Sequence, residues 1–261
     1  MQALKIAATG MAAQQLRVDV TSNNIANMGT TAYDARRAEF ADLHYQLLRR
    51  PGTLTAASGE ELPAGVEVGL GVRPATVAPE QAQGALRATN GELDIAIEGM
   101  GLMEIELPDG TAAYTRDGAL KLSAEGEIVT ALGYRLAAGI TVPEEAERIA
   151  IAPDGVVSAL FGDDALPQQI GTIELVRFIN EKGLEPLGDN LFRETAASGA
   201  PAIDTAGEEG RGTFRQGFLE DSSVNVVAEI TELIEAQRGY ELNARVMSAA
   251  DEMLSAMSRI R

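Results

Sequence analysis

The sequence predicts an α+β protein with long N- and C-terminal helices that form a coiled-coil domain, linked by extended arms to a central antiparallel β domain. Apolar residues recur at spacings of three and four near both ends, which is typical of amphipathic helices. All ten prolines lie between Pro51 and Pro201, and short alternating segments with glycine turns fill that region. The predicted domains are 1–30 plus 222–261 for the helices, 31–75 plus 195–221 for the arms, and 76–194 for the β domain.

The N-terminal helix is predicted from Met1 to about Asn27. Asn27 and Gly29 tolerate the left-handed conformation that ends helices. The apolar stripe of this helix consists of Leu4, Ala8, Met11, Val18 and Ile25. We expect this stripe to be an assembly surface.

The C-terminal helix is predicted over residues 222–260, at about 55 Å in length for a rise of 1.5 Å per residue. Its stripe consists of Val226, Ile230, Leu233, Tyr240, Met247 and Leu254, and Ile234, Val246, Met253 and Met257 widen it. Two interpretations remain open. The terminal helices pack inside one globular core, or they form a coiled coil with each other and with neighbouring subunits.

Between the helices, the sequence predicts a barrel or sandwich of short antiparallel strands. Pro-Asp-Gly occurs at 108–110 and 153–155, where glycine suits a tight turn. The predicted strands are 93–97, 102–107, 119–122, 128–130, 134–136, 156–160 and 170–179. Residues 50–66 and 195–213 are rich in Pro, Gly, Ser and Thr, so we expect extended arms there. Residues 37–50 are expected to be helical and to carry the single histidine, His44.

The composition disfavours several classes of function. The 261 residues include 39 acidic and 21 basic side chains, for a net charge of −18, whereas nucleic-acid and anionic-membrane binders need basic patches. The chain has no Cys and one His, which disfavours thiolate chemistry, a histidine metal cage and a Ser–His–Asp triad. We therefore predict no catalytic, cofactor-binding or metal-binding residues.

The charge is unevenly distributed. Residues 1–50 carry six basic and four acidic side chains, and residues 220–261 carry four and eight, so the segment between them carries −16 of the −18. The N-terminus lacks the cationic start and unbroken apolar run of a secretory signal peptide. No segment is long and apolar enough to predict a membrane span.

Three asparagines cluster at the end of the first helix, at Asn23, Asn24 and Asn27. Asparagine is a poor helix former, and its amide bonds readily to backbone or to an adjoining side chain. The cluster is therefore either a local helix cap or part of an interface.

The cluster resembles a motif of the axial proteins of the bacterial flagellum, the rod and hook subunits. The motif reads Asn23-Asn24-Ile25-Ala26-Asn27, then Thr30 and Tyr33. Further similarity follows in order along the chain, at 71–74, 107–118, 155–158, 198–201, 223–226 and 237–241. Ala32, Asp34, Leu102-Met103 and Gly239 depart from the usual family residues. Length and the 45–65 segment are most similar to the distal-rod subunit.

The resemblance implies a structural subunit that polymerises into a rigid hollow drive shaft. Such a shaft transmits motor torque to the hook and encloses the export channel. The implied partners are further copies of the chain, proximal-rod and hook subunits, the surrounding cell-wall and outer-membrane rings, and the flagellar export apparatus. The implied location is the basal body, spanning the periplasm after export without a cleaved signal peptide, and no cofactor is implied.

The resemblance also implies two groups of functional residues. Asn23, Asn24, Asn27, Thr30 and Tyr33 join the two apolar stripes as the assembly interface. A lattice-locking arm includes Arg49, Arg50, Pro51, Leu62 and Pro63. Two alternatives remain: a proximal-rod or hook-like axial subunit, and an acidic β-rich enzyme whose helices dimerise.

Overall fold

The computed structural model describes residues 2–50, 64–162, 166–207 and 210–259. Helix α1 (Gln2–Ala26) begins the fold and helix α2 (Val226–Arg259) ends it, and antiparallel strands lie between them in sequence. This arrangement confirms the predicted α+β class, with terminal helices and a central antiparallel β region. The chain divides into two compact units. One comprises Met1–Ala26, Arg36–Glu80 and Asn225–Arg261, and the other comprises Asn27–Ala35 and Gln81–Val224.

The first unit contains both helices and a long β-hairpin. The strands of the hairpin are β1 (Arg36–Asp42), β2 (Tyr45–Arg49), β3 (Val66–Gly69) and β4 (Val72–Pro79). β1 pairs with β4 and β2 with β3, both antiparallel. Backbone hydrogen bonds from Leu43 to Gly71 and from Leu70 to His44 join the two ladders.

The expected helix over residues 37–50 is therefore wrong, because this segment forms β1 and β2. Along β1, exposed Arg37 and Glu39 alternate with half-buried Ala38 and Phe40. That period of two matches a strand. Pairing with the distant β4, which a local pattern does not reveal, decides the conformation.

Strands β1 and β2 run along α1 in the direction opposite to that of the helix. The amide of Gln2 bonds to Gln46 at 2.8 Å, and Asn24 bonds to Arg36 at the other end of the helix. From residue 2 to residue 24 the helix rises about 33 Å, and from residue 36 to residue 46 an extended strand covers about 33 Å. The two lengths match, so helix and hairpin stay side by side.

The second unit is built almost entirely of short strands. They are β5 (Leu86–Ala88), β6 (Ile95–Glu98), β7 (Met103–Glu106), β8 (Ala112–Thr115), β9 (Lys121–Leu122), β10 (Ile128–Val129), β11 (Arg135–Leu136), β12 (Arg148–Ile151), β13 (Val156–Leu160), β14 (Gln168–Thr172), β15 (Leu175–Arg177), β16 (Glu185–Gly188), β17 (Leu191–Arg193), β18 (Ala202–Asp204), β19 (Thr213–Gln216) and β20 (Phe218–Glu220). A 3₁₀ turn covers Glu181–Gly183.

The largest sheet of this unit has seven strands in the order β16-β17-β8-β7-β11-β10-β9. A three-stranded sheet follows the order β12-β13-β14, and β19–β6, β20–β5 and β15–β18 form pairs. The predicted strand over 170–179 is two strands, β14 and β15. It breaks at Ile173, whose amide bonds to Gly155, before Leu175–Arg177 pairs with β18.

The core of the second unit lies between these sheets. Its fully buried residues include Ile95, Ile97, Met103, Val157, Ile173 and Leu175. A neighbouring cluster contains Tyr114 and Phe178, whose rings meet edge to face with centroids 4.8 Å apart. The predicted arm segments also contain strands, since β1 to β3 lie within 31–75 and β18 to β20 within 195–221.

Candidate assembly site

The face on which α1 and α2 meet consists mainly of small residues. The buried apolar residues of the two helices are Ala7 and Ala13 on α1 and Ala236 and Ala250 on α2. Small side chains let two helix backbones approach closely and leave little apolar area at the contact. The spacing of large apolar residues in the sequence therefore does not reveal this face.

Two glycines on this face are covered by amide side chains from the opposite helix. A Cβ at Gly10 would lie 2.8 Å from Oδ1 of Asn243, and a Cβ at Gly239 would lie 3.0 Å from Cδ of Gln14. Glycine in mid-helix costs about 1 kcal/mol relative to alanine. The close approach of Gln14 gives Gly239, one of the departures from the family pattern, a packing role.

Asn24 links three elements of the first unit. Its Nδ2 donates to the Arg36 carbonyl at 2.8 Å and to Oε1 of Glu229 at 3.1 Å, and the Arg36 amide donates to its Oδ1 at 2.9 Å. The side chain is 1 % exposed. Asn24 is thus a long-range clamp between α1, β1 and α2.

Glu229, in the first turn of α2, lies in a partly buried group of charges. Burial raises the pKa of Glu229, and the carboxylates of Glu232 and Glu80 raise it further, while the Asn24 hydrogen bond and Arg37 oppose the shift. Arg37 bonds to Glu80 at 2.7 Å. The raised pKa of Glu229 therefore belongs to a position where α2 meets Asn24 of α1 and Arg37 of β1.

The apolar stripe predicted on α1 does not form the centre of the contact with α2. Leu4, Met11, Val18 and Ile25 are half-buried and Ala8 is exposed. At 100° per residue, this stripe lies roughly 100° around the helix from the face of buried residues.

The stripe predicted on α2 is similarly displaced, by roughly 75°. Val226, Leu233, Met247 and Leu254 are half-buried, while Ile230 and Tyr240 are exposed. Other large apolar residues on the outer side of α2 are also exposed, namely Val227, Ile234, Leu242, Val246, Met253 and Met257. The first unit therefore leaves a long apolar surface of α2 uncovered.

The rest of the asparagine motif behaves differently from Asn24. Asn23 is exposed on α1. Asn27 and Thr30 belong to the second unit and form a turn, in which the Thr30 hydroxyl donates to Oδ1 of Asn27 at 3.1 Å. In the same unit the Tyr33 carbonyl accepts a hydrogen bond from the Ser223 amide at 3.0 Å. The motif thus contributes to both units.

The predicted arm is only partly described. Arg49 is the last residue of β2, and both Arg49 and Arg50 are exposed. Pro51, Leu62 and Pro63 lie outside the described residues. Tyr45, Leu47 and Leu48 on β2 are also exposed, so this end of the hairpin presents apolar side chains.

Within the described ranges, no group of three His, Asp or Glu side chains is placed to hold a metal ion. No helix in that part of the chain is both long enough and apolar enough to cross a membrane.

Three family profiles match the chain in order. A profile of flagella basal body rod proteins matches residues 4–33, one of the D1 domain of flagellar hook proteins FlgE/F/G matches residues 96–159, and one of the C-terminal part of FlgEFG rod proteins matches residues 215–260. Together they include most of both helices and part of the β region.

Full-length relatives agree with the profiles. The chain is 49 % identical to the flagellar basal-body rod protein FlgG of Caulobacter vibrioides over the whole of both chains. It is 46 % identical to FlgG of Agrobacterium fabrum over 99 % of each chain. It is 43 % identical to FlgG of Borreliella burgdorferi over 100 % of this chain and 99 % of that one.

Terminal helices that flank a β region in sequence, with these segments in order, define an axial protein of the flagellum. The chain belongs to the flagellar basal-body rod family and is a structural subunit of the distal rod.

Proposed function

We propose that this subunit polymerises through its terminal helices into a rigid hollow shaft. The observation that carries the proposal is the uncovered outer surface of α2, where Val227 is 76 % and Met257 is 69 % exposed. Apolar side chains spaced along a helix gain free energy by burial, at about 25 cal/mol per Å². We propose that helices of neighbouring copies bury this surface of α2.

The proposed contacts use both predicted stripes. Each lies beside the α1–α2 contact, so a neighbouring helix can pack against a stripe without separating the pair. The proposed interface consists of Leu4, Ala8, Met11, Val18, Asn23, Asn24, Ile25, Asn27, Thr30, Tyr33, Val226, Ile230, Leu233, Tyr240, Met247 and Leu254. Packing of this kind is a coiled coil extended between subunits.

Contacts between different surfaces of identical subunits produce an open helical polymer when the rotation does not close. In the proposed polymer the helices form the inner tube around the export channel. The tube carries motor torque outward to the hook because every subunit is held by several neighbours.

The β2–β3 end of the hairpin and the segment that joins these two strands form the proposed lattice-locking arm, with Arg49, Arg50, Pro51, Leu62 and Pro63. Exposed Tyr45, Leu47 and Leu48 supply apolar area at its base. The arm contacts a neighbouring subunit and holds the polymer straight.

We further propose where the subunit lies and what it joins. The subunit joins proximal-rod subunits on one side and hook subunits on the other, inside the cell-wall and outer-membrane rings. It reaches the periplasm through the flagellar export apparatus. It has no enzymatic role.

A matched pair of variants tests polymerisation. Met253→Asp places a charge on the uncovered surface of α2, and the matched control Met253→Leu keeps an apolar side chain at the same exposed position. We expect sedimentation and negative-stain microscopy to find polymers for the wild type and Met253→Leu, and none for Met253→Asp. Polymers of normal amount from Met253→Asp contradict the proposal.

A further inference from the structure

A cavity of about 270 Å³ opens within the first unit between α1, β1, β4 and α2. We call it the α1 groove and define it by six of its lining residues. Val20, Phe40 and Val72 form an apolar side, and Gln14, Arg17 and Arg36 supply polar groups. Such a combination suits a ligand with one apolar and one anionic part.

Gln14 supplies an unused acceptor. Its Oε1 atom is buried, and no donor among the described residues bonds to it. Buried polar atoms nearly always have a hydrogen-bond partner. A ligand that presents an N–H group at this point satisfies the atom.

Three arginines, Arg17, Arg36 and Arg37, and one carboxylate, Glu232, line the α1 groove, so its charged lining is cationic overall. Arg17 meets Glu232 only at 3.7 Å, a weak ion pair. No carboxylate of the described residues forms an ion pair with Arg36. The neighbouring Arg37, by contrast, holds Glu80 at 2.7 Å. In a chain of net charge −18, a cationic apolar groove fits an acidic peptide.

We propose that the α1 groove binds Glu60-Glu61-Leu62 of a second copy of this chain. The inference rests on the proposed polymerisation and names the site at which the arm is held. The segment provides two adjacent carboxylates, an apolar side chain and backbone N–H groups. The carboxylates pair with Arg17 and Arg36, Leu62 covers the apolar side, and an N–H group donates to Gln14.

The geometry of the hairpin favours a second copy over the same chain. Gln46 lies level with Gln2, so Arg49 lies about 10 Å further along the hairpin, away from the groove. The groove lies further still, because Gln14 is about 18 Å from Gln2 along the axis of α1.

Glu61 lies five positions before Val66, which pairs with Arg49. A fully extended chain of that length spans at most about 17 Å, against about 28 Å to its own groove. The acidic segment therefore meets the groove of another copy.

The absence of cysteine allows a direct cross-linking test. One chain carries Glu61→Cys and a second, differently tagged chain carries Ala38→Cys at the groove. They are co-assembled and treated with a short bismaleimide. The control replaces Ala38→Cys by Asp19→Cys, an exposed site on α1. We expect mixed dimers at least ten times more abundant than in the control.

Two outcomes contradict binding of the segment in the α1 groove. In the first, polymers form but mixed dimers do not exceed the control level. In the second, both cysteines are placed on one chain and cross-links form only within single chains. Failure of the cysteine-free chain to polymerise contradicts the proposed function itself. The two failures are thus distinguishable.

A charge exchange tests the chemistry of binding. The second cysteine is moved from position 61 to Leu62→Cys for this test. We expect Arg36→Glu or Glu61→Arg alone to lower the yield of bismaleimide cross-links between positions 38 and 62 at least fivefold. The combination of both reversals is expected to restore the yield to within twofold of the original. Glu39→Arg, an exposed change on β1, is expected to leave it unchanged. Absence of rescue contradicts the pairing of Glu61 with Arg36.

Discussion

Asn24 and Arg36 exchange two hydrogen bonds, of 2.8 Å and 2.9 Å, between a side-chain amide and a backbone peptide. The arrangement imitates a pair of strand hydrogen bonds, and it fixes where β1 starts relative to the end of α1. Because the same amide also donates to Glu229, one side chain sets the register of α1, β1 and α2.

Asn24→Ala is expected to destabilise the helical unit. The change leaves the Arg36 peptide and the Glu229 carboxylate without their partner, and an unsatisfied buried group costs about 1–3 kcal/mol. Urea unfolding followed by far-UV circular dichroism measures the loss. Asn23→Ala is the control, since Asn23 is exposed and its replacement is expected to cost less than about 0.5 kcal/mol. Equal losses for the two variants contradict the clamp.

Gly239→Ala tests the close approach of Gln14 to α2. Alanine gains about 1 kcal/mol of helix propensity, but its Cβ would lie 3.0 Å from Cδ of Gln14. We expect Gly239→Ala to raise the unfolding free energy by less than this amount in the wild type. In a Gln14→Ala background we expect the full increase. A double-mutant cycle on the unfolding free energy isolates the coupling. Equal gains in both backgrounds show that the two residues do not constrain each other.

Glu229 is expected to make stability depend on pH. Because its pKa is raised in the folded chain, the folded state holds the proton more tightly than the unfolded state does. The stabilisation that protonated Glu229 provides is therefore complete below the pKa of this residue in the unfolded chain. It is lost as pH rises through the pKa of Glu229 in the folded chain.

The measurement compares the wild type with Glu229→Gln, which keeps an acceptor for Asn24. From about pH 4 to pH 7, the unfolding free energy of the wild type is expected to fall relative to that of the variant. Glu241→Gln, at an exposed position, serves as the control and is expected to run parallel to the wild type. A relative rise for the wild type over the same range contradicts the raised pKa.

Arg116 is expected to be the most sensitive charged residue of the β unit. Its Nε bonds to the buried Glu220 at 2.7 Å, and its other nitrogens bond to the carbonyls of residues 97, 99 and 101. Arg116→Met leaves a buried carboxylate without its partner, at a cost of about 3–5 kcal/mol.

The control for Arg116→Met is Arg193→Met, which breaks an exposed pair with Glu185 and is expected to cost about 0–1 kcal/mol. Thermal unfolding followed in the near ultraviolet, where Tyr114 and its neighbours absorb, reports on this unit. Similar midpoints for the two variants contradict the assigned role of Arg116.

The sequence predicted the features that repeat locally. Both terminal helices lie within a few residues of their predicted bounds because each carries a regular apolar stripe, and β13 matches the predicted strand 156–160. The class of protein followed from motifs distributed along the whole chain. These signals need no knowledge of distant contacts.

What the sequence missed depends on distant contacts. Residues 37–50 form strands because β4 and β3 pair with them. The α1–α2 face escaped notice because Gly10, Ala236 and Asn243 contribute close approach and little apolar area. The clamp role of Asn24 depends on Glu229, more than two hundred positions away in sequence.

The central claim is that the stripes of α1 and α2 pack between subunits to form the inner tube of the rod. Electron cryo-microscopy of basal bodies isolated from the cell that makes this chain tests it most directly. We expect Leu4, Leu233 and Met253 to contact neighbouring copies around a central channel. A rod whose subunits touch only through their β regions, with these three side chains facing solvent, contradicts the account.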